Sequence, residues 1–172
     1  MSCLLVSGLT KDCNYILGGI TNLYLGNFSQ IANISGATDL MDTITFTNPG
    51  SEYLYEMEFE KNTGNFTNEM VVNNAQKYIN QGFSFSIAKK DVDSVTVANE
   101  LALGKVVAIA RDRNGKYFVL GRNNGLEATV TSLNSGSAEG DFSGLVVTML
   151  GAQIEFAPEW DNTINGVASY IQ

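Results

Sequence analysis

Glu52, Glu56, Glu58 and Glu60 share one parity in the stretch 52–60, with Tyr53, Tyr55, Met57 and Phe59 between them. Paired carboxylates have a chemistry attached. Two residues apart on one strand face they stand about 6–7 Å from each other, within the range glycoside hydrolases use for an acid and a base. Any alternating acidic strand gives that spacing, so the ladder alone defines no enzyme. The sequence has no histidine, which removes the commonest general base and excludes Ser/His and Cys/His nucleophile pairs. Cys3 and Cys13 without histidine cannot complete the usual four-ligand zinc site in one chain, and they are read as reduced thiols. Asp112-Arg113-Asn114-Gly115 lacks the acidic spacing of a calcium loop, and there is no G-x-x-x-x-G-K phosphate loop. The residues therefore predict no catalytic site, no metal and no cofactor.

The elements that must position these side chains begin from bulk properties. The 172 residues suit a single domain, 1–172, and 44% hydrophobic against 16% charged residues predicts a globular chain. A net charge of −8 argues against gripping nucleic acid through its phosphates. Residues 89–122 hold seven of the ten basic residues against four acidic ones, so one region is basic and the rest strongly acidic. No run approaches the roughly 20 apolar residues of a membrane span, and no membrane partner is expected.

Strand signals dominate. Ile20–Leu25 reads as a strand after Gly18-Gly19. Residues 27–50, rich in Asn, Ser, Gly and Thr, read as a long loop with a short strand at Thr43–Thr47. The period-two stretch 52–60 is expected to turn at Lys61-Asn62-Thr63-Gly64 and pair with 65–73. Tyr78–Ala88 alternates next. One helix is predicted over about 91–103, with Asp91 as N-cap, Asp93 in the first turn and Gly104 after the end. Val92, Val95, Ala98 or Asn99, and Ala102 follow its spacing. Lys105–Asp112 and Lys116–Gly121 flank Asn114-Gly115, a hairpin signal because both central residues of such a turn need positive φ. Residues 126–133, 143–150 and 152–157 are three more strands, and 158–172, with Trp160, reads as an arm without a period. The fold class is mainly β: an antiparallel β-sandwich or barrel with one flanking α-helix.

Several segments carry a resemblance. They are Asp12-Cys13 leading to Gly18-Gly19-Ile20, Tyr55–Thr63, the single helix, Val107–Asp112 with Asn114–Gly121, and Leu145–Gly151 followed by Ala157-Pro158. Together, over about residues 12–160, they resemble bacteriophage tail tube proteins, small tail structural proteins of phages infecting Bacteroidetes-type bacteria. The resemblance implies a β-sandwich with a flanking helix, six copies per ring, rings stacked head to tail, and DNA passing through the lumen without specific binding. It implies partnership with itself and with other tail proteins, and a place in the virion after synthesis in the host cytoplasm. A neck or baseplate structural protein, or a monomeric β-sandwich module for a host glycan, is the alternative.

Within that frame the charge pattern gives site expectations. Glu52, Glu56, Glu58 and Glu60, with Glu69 on the partner strand, are expected to face the lumen, where repeated carboxylates repel DNA phosphates; the competing reading turns this face outward and lines the channel with the Asn/Ser side of 78–88 and 143–156. Lys89, Lys90, Arg111 and Arg113 are expected to meet acidic groups of a neighbouring subunit. The loop 27–50 and the arm 158–172 are expected to order by crossing to neighbours, with Trp160 as apolar anchor.

Overall fold

Val106 to Ala110 is an unbroken apolar run, which suits a strand covered on both faces. A computed structural model describes residues 7–9, 11, 15–37, 39–161 and 166–172; Cys3 and Cys13 lie outside them. The described elements, in chain order, are β1 (Ile20–Asn27), β2 (Ile31–Ala37), β3 (Leu40–Phe46), β4 (Tyr55–Met57), β5 (Asn65–Asn73), β6 (Gln76–Ile87), α1 (Val92–Leu103), β7 (Lys105–Asp112), β8 (Tyr117–Leu120), β9 (Leu126–Asn134), β10 (Gly144–Gln153) and β11 (Glu159–Trp160). The fold is mainly β with one flanking helix. The strands form one large sheet in the order β2-β3-β11-β8-β7-β9-β10-β6-β5, with β1 paired to β7 and β4. All pairings are antiparallel except β11 with β3.

β7 separates two cores. Val106, Ala108 and Ala110 join Leu23, Phe83, Phe85, Leu126, Val147 and Met149 on one side. Val107 and Ile109 join Ile34, Met41, Ile44, Leu54 and Trp160 on the other. The sheet folds over so that Phe66 of β5 meets Phe118 of β8, ring centroids 5.3 Å apart. β5 and β8 are not hydrogen-bonded to each other, so the sheet stays open.

Residues 27–50 are not a long loop. They hold a 3-10 turn, Phe28–Gln30, and the β2–β3 hairpin, which buries Ile34, Met41, Ile44 and Phe46 in the second core. The described parts of the 158–172 arm, 158–161 and 166–172, likewise pack on their own chain. β11 lies between β3 and β8, Leu54 N–H donates to Tyr170 O at 2.8 Å, and Val167 is buried.

The expected pairing of 52–60 with 65–73 also fails. Only Tyr55–Met57 is a strand, and it pairs with β1. β5 instead pairs with β6 through the two-residue turn Asn74–Ala75, at φ 47° and 66°. These positive angles match the right-handed twist of a hairpin, but Ala75 carries a Cβ into the left-handed region. Replacing Ala75 by glycine should raise stability by about 0.5–1 kcal/mol, the relief exceeding the added unfolded-state entropy. Urea denaturation checks this. The Asn114-Gly115 turn works differently from expectation. Only Gly115 has positive φ (85°), and the Asp112 carboxylate accepts the N–H groups of Asn114 and Lys116 at 2.9 and 2.8 Å.

α1 starts at the expected cap: Asp91 Oδ1 accepts the Ser94 N–H at 2.9 Å. Its buried face is Ser94, Val97, Ala98 and Leu101, not the stripe through Val92, Val95 and Ala102. That stripe and Leu103 face out. The Ser94 N–H, then Lys89, hold the Asp91 carboxyl down to about 2. A depressed carboxyl contributes stability that is complete above its unfolded value near 3.9 and lost as pH falls through about 2. Amide exchange in the first turn of α1 should therefore speed up between about pH 4 and 2 relative to β7.

Candidate assembly surfaces

β9, β10, β6 and β5 form a run of four antiparallel strands with one outward side. Alternation sends Phe83, Phe85, Val147 and Met149 into the core and leaves Asn80, Ser84, Ser86 and Thr148 outside. Thr67 and Glu69 extend the face on β5, and Glu127 and Ser132 on β9. No Lys or Arg occupies an outward position on these four strands. Glu127 is paired with Lys105 at 2.7 Å, which leaves Glu69 as the face's unpaired charge. β5 ends the strand order, so all nine residues of its outer edge lack a strand partner among the described residues. No proline and a single charge guard it, although an exposed edge of this length is a template for pairing.

A polar cluster holds the end of this sheet. Gln153 Oε1 accepts the N–H groups of Asn123 and Asn124 at 3.0 and 3.1 Å, and its Nε2 donates to Gly125 O at 3.0 Å. Gln81 Oε1 accepts the Gly121 N–H at 2.9 Å and its Nε2 donates to Glu155 O at 2.9 Å. Arg122 pairs with Glu155 at 3.0 Å and donates to Ile34 O, tying the β2–β3 hairpin to the same loop. Sequence reasoning missed these residues. Their signal was a glutamine on the apolar parity of each of two strands.

The acidic ladder is split. Glu52 is 8% exposed and accepts from Asn48 N–H and Nδ2 at 2.7 and 3.0 Å, so it closes a turn and cannot face a lumen. Glu56 is exposed on β4 opposite Tyr24 and accepts from Asn22 Nδ2 at 2.9 Å. Burial, then the Glu56 charge, raise the Tyr24 hydroxyl above its usual range. Glu58 and Glu60 are exposed but lie past the end of β4. Glu60 Oε1 accepts the Ala88 N–H at 3.3 Å. Glu69 sits on β5, which does not border β4.

The basic residues do not form one patch. Lys89 pairs with Asp91 and Asp93 of its own chain at 3.0 and 3.3 Å. Lys90 is exposed. Arg113 donates to Asn62 Oδ1. Arg111 is half-buried with its guanidinium 5.5 Å from the Tyr117 ring centroid, and its Nε is buried without a partner. Trp160 is 2% exposed and stands edge-on to Tyr170, ring centroids 5.8 Å apart. It is a core residue of this chain and cannot anchor a neighbour.

Large apolar side chains nevertheless stay uncovered. Met70 and Val72 on the β5–β6 hairpin, Ile154 and Phe156 after β10, and Leu9, Tyr15 and Ile16 before β1 are all exposed. A recess of about 280 Å³ lies between α1 and β4, lined by Leu25, Met57, Val97, Leu101 and Val106. Among the described residues no three Cys, Asp or Glu converge as a metal set, and no helix is long and apolar enough to cross a membrane. The class defined by these features is a mainly β protein with an open sheet, a free edge and uncovered apolar surface. No family model, curated protein or solved structure matches the chain.

Proposed function

We propose that this chain is a self-assembling virion structural protein, a tail tube subunit of a tailed bacteriophage. Six copies form a ring, and rings stack head to tail around a channel that conducts DNA into the host. The observation that supports this best is the uncovered outward face of β9-β10-β6-β5, on which the cation reaching in from β7, Lys105, is paired with Glu127, with the free edge of β5 beside it. In a ring, that edge takes the sheet of the next subunit, and the repeated faces form the channel wall.

The wall chemistry suits passage. DNA carries one negative charge per about 1.7 Å of axis. Hydroxyls and amides at Ser84, Ser86, Thr148 and Asn80 offer no fixed cation to hold a phosphate. Glu69 adds a weak repulsion, screened within about 8 Å at physiological salt. The lining role moves to this face from Glu56, Glu58 and Glu60, because the chain leaves the sheet after Met57 and those carboxylates form no regular ladder. Other tail proteins are the remaining partners.

Sedimentation velocity and negative-stain microscopy at rising protein concentration test the reading. Rings or hollow tubes are expected. A monomer at every concentration contradicts it.

A further inference from the structure

The recess between α1 and β4 is apolar at its floor and acidic at its mouth. Leu25, Leu101 and Val106 form the floor, 3%, 6% and 5% exposed, and Met57 and Val97 stand half-buried at the sides. The spacing of α1 brings Val97 and Leu101, four residues apart, onto one face of the helix. The volume of about 280 Å³ falls just below the range of roughly 300–1,000 Å³ of pockets that hold drug-sized molecules. Its occupant is therefore small, with an apolar part for the floor.

The mouth carries negative charge with no counter-charge beside it. Glu100 lines it, is exposed, and forms no ion pair among the described residues. Glu100 and Leu101 belong to the last turn of α1, where the helix dipole sets partial negative charge, and that turn has no basic residue. Gly104 N–H closes the Glu100 carbonyl at 2.9 Å. The carbonyls of Leu101, Ala102 and Leu103 have no partner within the helix. Lys105 does not neutralise the mouth. Val106 lines the recess, so alternation sends Lys105 to the opposite face of β7, where it pairs with Glu127 at 2.7 Å. Lys89 and Lys90 precede the other end of α1, roughly 15 Å away along the helix axis.

We infer that this recess binds a small primary alkylamine, its alkyl stem on the apolar floor and its ammonium at the mouth between Glu100 and the end of α1. An amine answers both halves at once. A hydrocarbon leaves the acidic mouth unmatched, and a carboxylate is repelled by it. An ammonium brings three donors and no acceptor, and the mouth offers a carboxylate and the open carbonyls, which accept. The site belongs to the single subunit and does not depend on the self-assembly reading.

The full chain, methyl-labelled at Leu, Val and Met and kept dilute enough to stay unassembled, is titrated with methylamine, n-butylamine, n-hexylamine, 1-hexanol and hexanoate and followed by methyl NMR. Saturable shifts with hexylamine are expected at Met57, Val97, Leu101 and Val106. Each methylene that reaches the floor should tighten binding about three- to fourfold. Hexanol should bind more weakly than hexylamine, and hexanoate not at all. Glu100→Gln should weaken hexylamine about three- to fivefold and leave hexanol unchanged. Val97→Phe, checked for folding by circular dichroism, should fill the recess and block both; if it does not fold, the chain-length series and Glu100→Gln decide. No binding by the parent overturns the inference. So do equal affinities for methylamine and hexylamine with shifts spread over the acidic surface, which would be adsorption by charge alone. Hexanol binding as tightly as hexylamine, or Glu100→Gln without effect on the amine, overturns it as well. Nα-acetyl-lysine methylamide binding more tightly than hexylamine would give the recess to a lysine of a protein partner and overturn the assignment to a free amine.

Discussion

Trp160→Ala should cost the isolated subunit about 3–5 kcal/mol, since a fully buried indole is removed and its neighbours cannot close the space. The side chain lies in the second core with Met41, Ile44, Val107 and Ile109. It stands edge-on to Tyr170 at 89°, a geometry that adds about 0.5–1.5 kcal/mol beyond area. β11 is only two residues long; Glu159 and Asp161 N–H donate to Asp39 O and Met41 O, Val119 N–H donates to Pro158 O, and burial of Trp160 adds to these bonds in holding it between β3 and β8. Loss of Trp160 should therefore loosen the whole C-terminal stretch. For a chain of this size the melting temperature should fall by roughly 10 °C, read by calorimetry on dilute, unassembled protein. Trp160→Phe should recover part of the loss. An anchor seated in a neighbouring subunit would behave otherwise, leaving the melting of the dilute subunit unchanged and weakening assembly alone.

Gln153→Leu should be nearly as damaging for a different reason. The side chain is 1% exposed and satisfies three backbone groups, the N–H of Asn123, the N–H of Asn124 and the carbonyl of Gly125. Leucine fits the volume but strands all three. Each unmet buried group costs about 1–3 kcal/mol, and partial access of water to Asn123 and Asn124 trims the total to about 3–4 kcal/mol. Gln153→Glu keeps the acceptor but sets a carboxylate against the Gly125 carbonyl, so it should be destabilised too and recover only as pH falls and the acid becomes a donor. Chemical denaturation at pH 7 and pH 5 reads both variants. A leucine variant as stable as the parent would show that the 121–125 loop is held by something other than Gln153.

These two residues mark where the sequence was hard to read. The helix was legible because Asp91, Asp93 and Gly104 are local signals, yet its buried face was misjudged. Val92 and Val95 have the right spacing, but packing chose Ser94, Val97 and Leu101. β6 and β7 were legible from their apolar runs; β10 runs unbroken from Gly144 to Gln153 where two strands, 143–150 and 152–157, were expected, and no strand covers 154–157. The β2–β3 hairpin was not, since register shifts at Ile31/Asn33 and Ser35/Gly36 break the period of two. The β5–β6 turn gave no glycine signal, because Ala75 occupies the position where Asn-Gly would have announced it. The alternation expected over 52–60 holds only from Glu56 on, with Met57 and Phe59 packed inward and Glu56, Glu58 and Glu60 outward, while Glu52 and Leu54 are buried and Tyr55 is exposed. Which strand it borders is set by long-range packing that no local pattern encodes. Trp160 was taken for an anchor because a two-residue strand has no periodicity to reveal its burial.

A cryo-electron reconstruction of the assembled particle tests the central claim most directly. The account predicts rings in which Asn80, Ser84, Ser86 and Thr148 of every subunit face the channel, with β5 paired along its free edge to the next subunit. Rings that carry these four residues on their outer surface, with the β5 edge left bare, would contradict it.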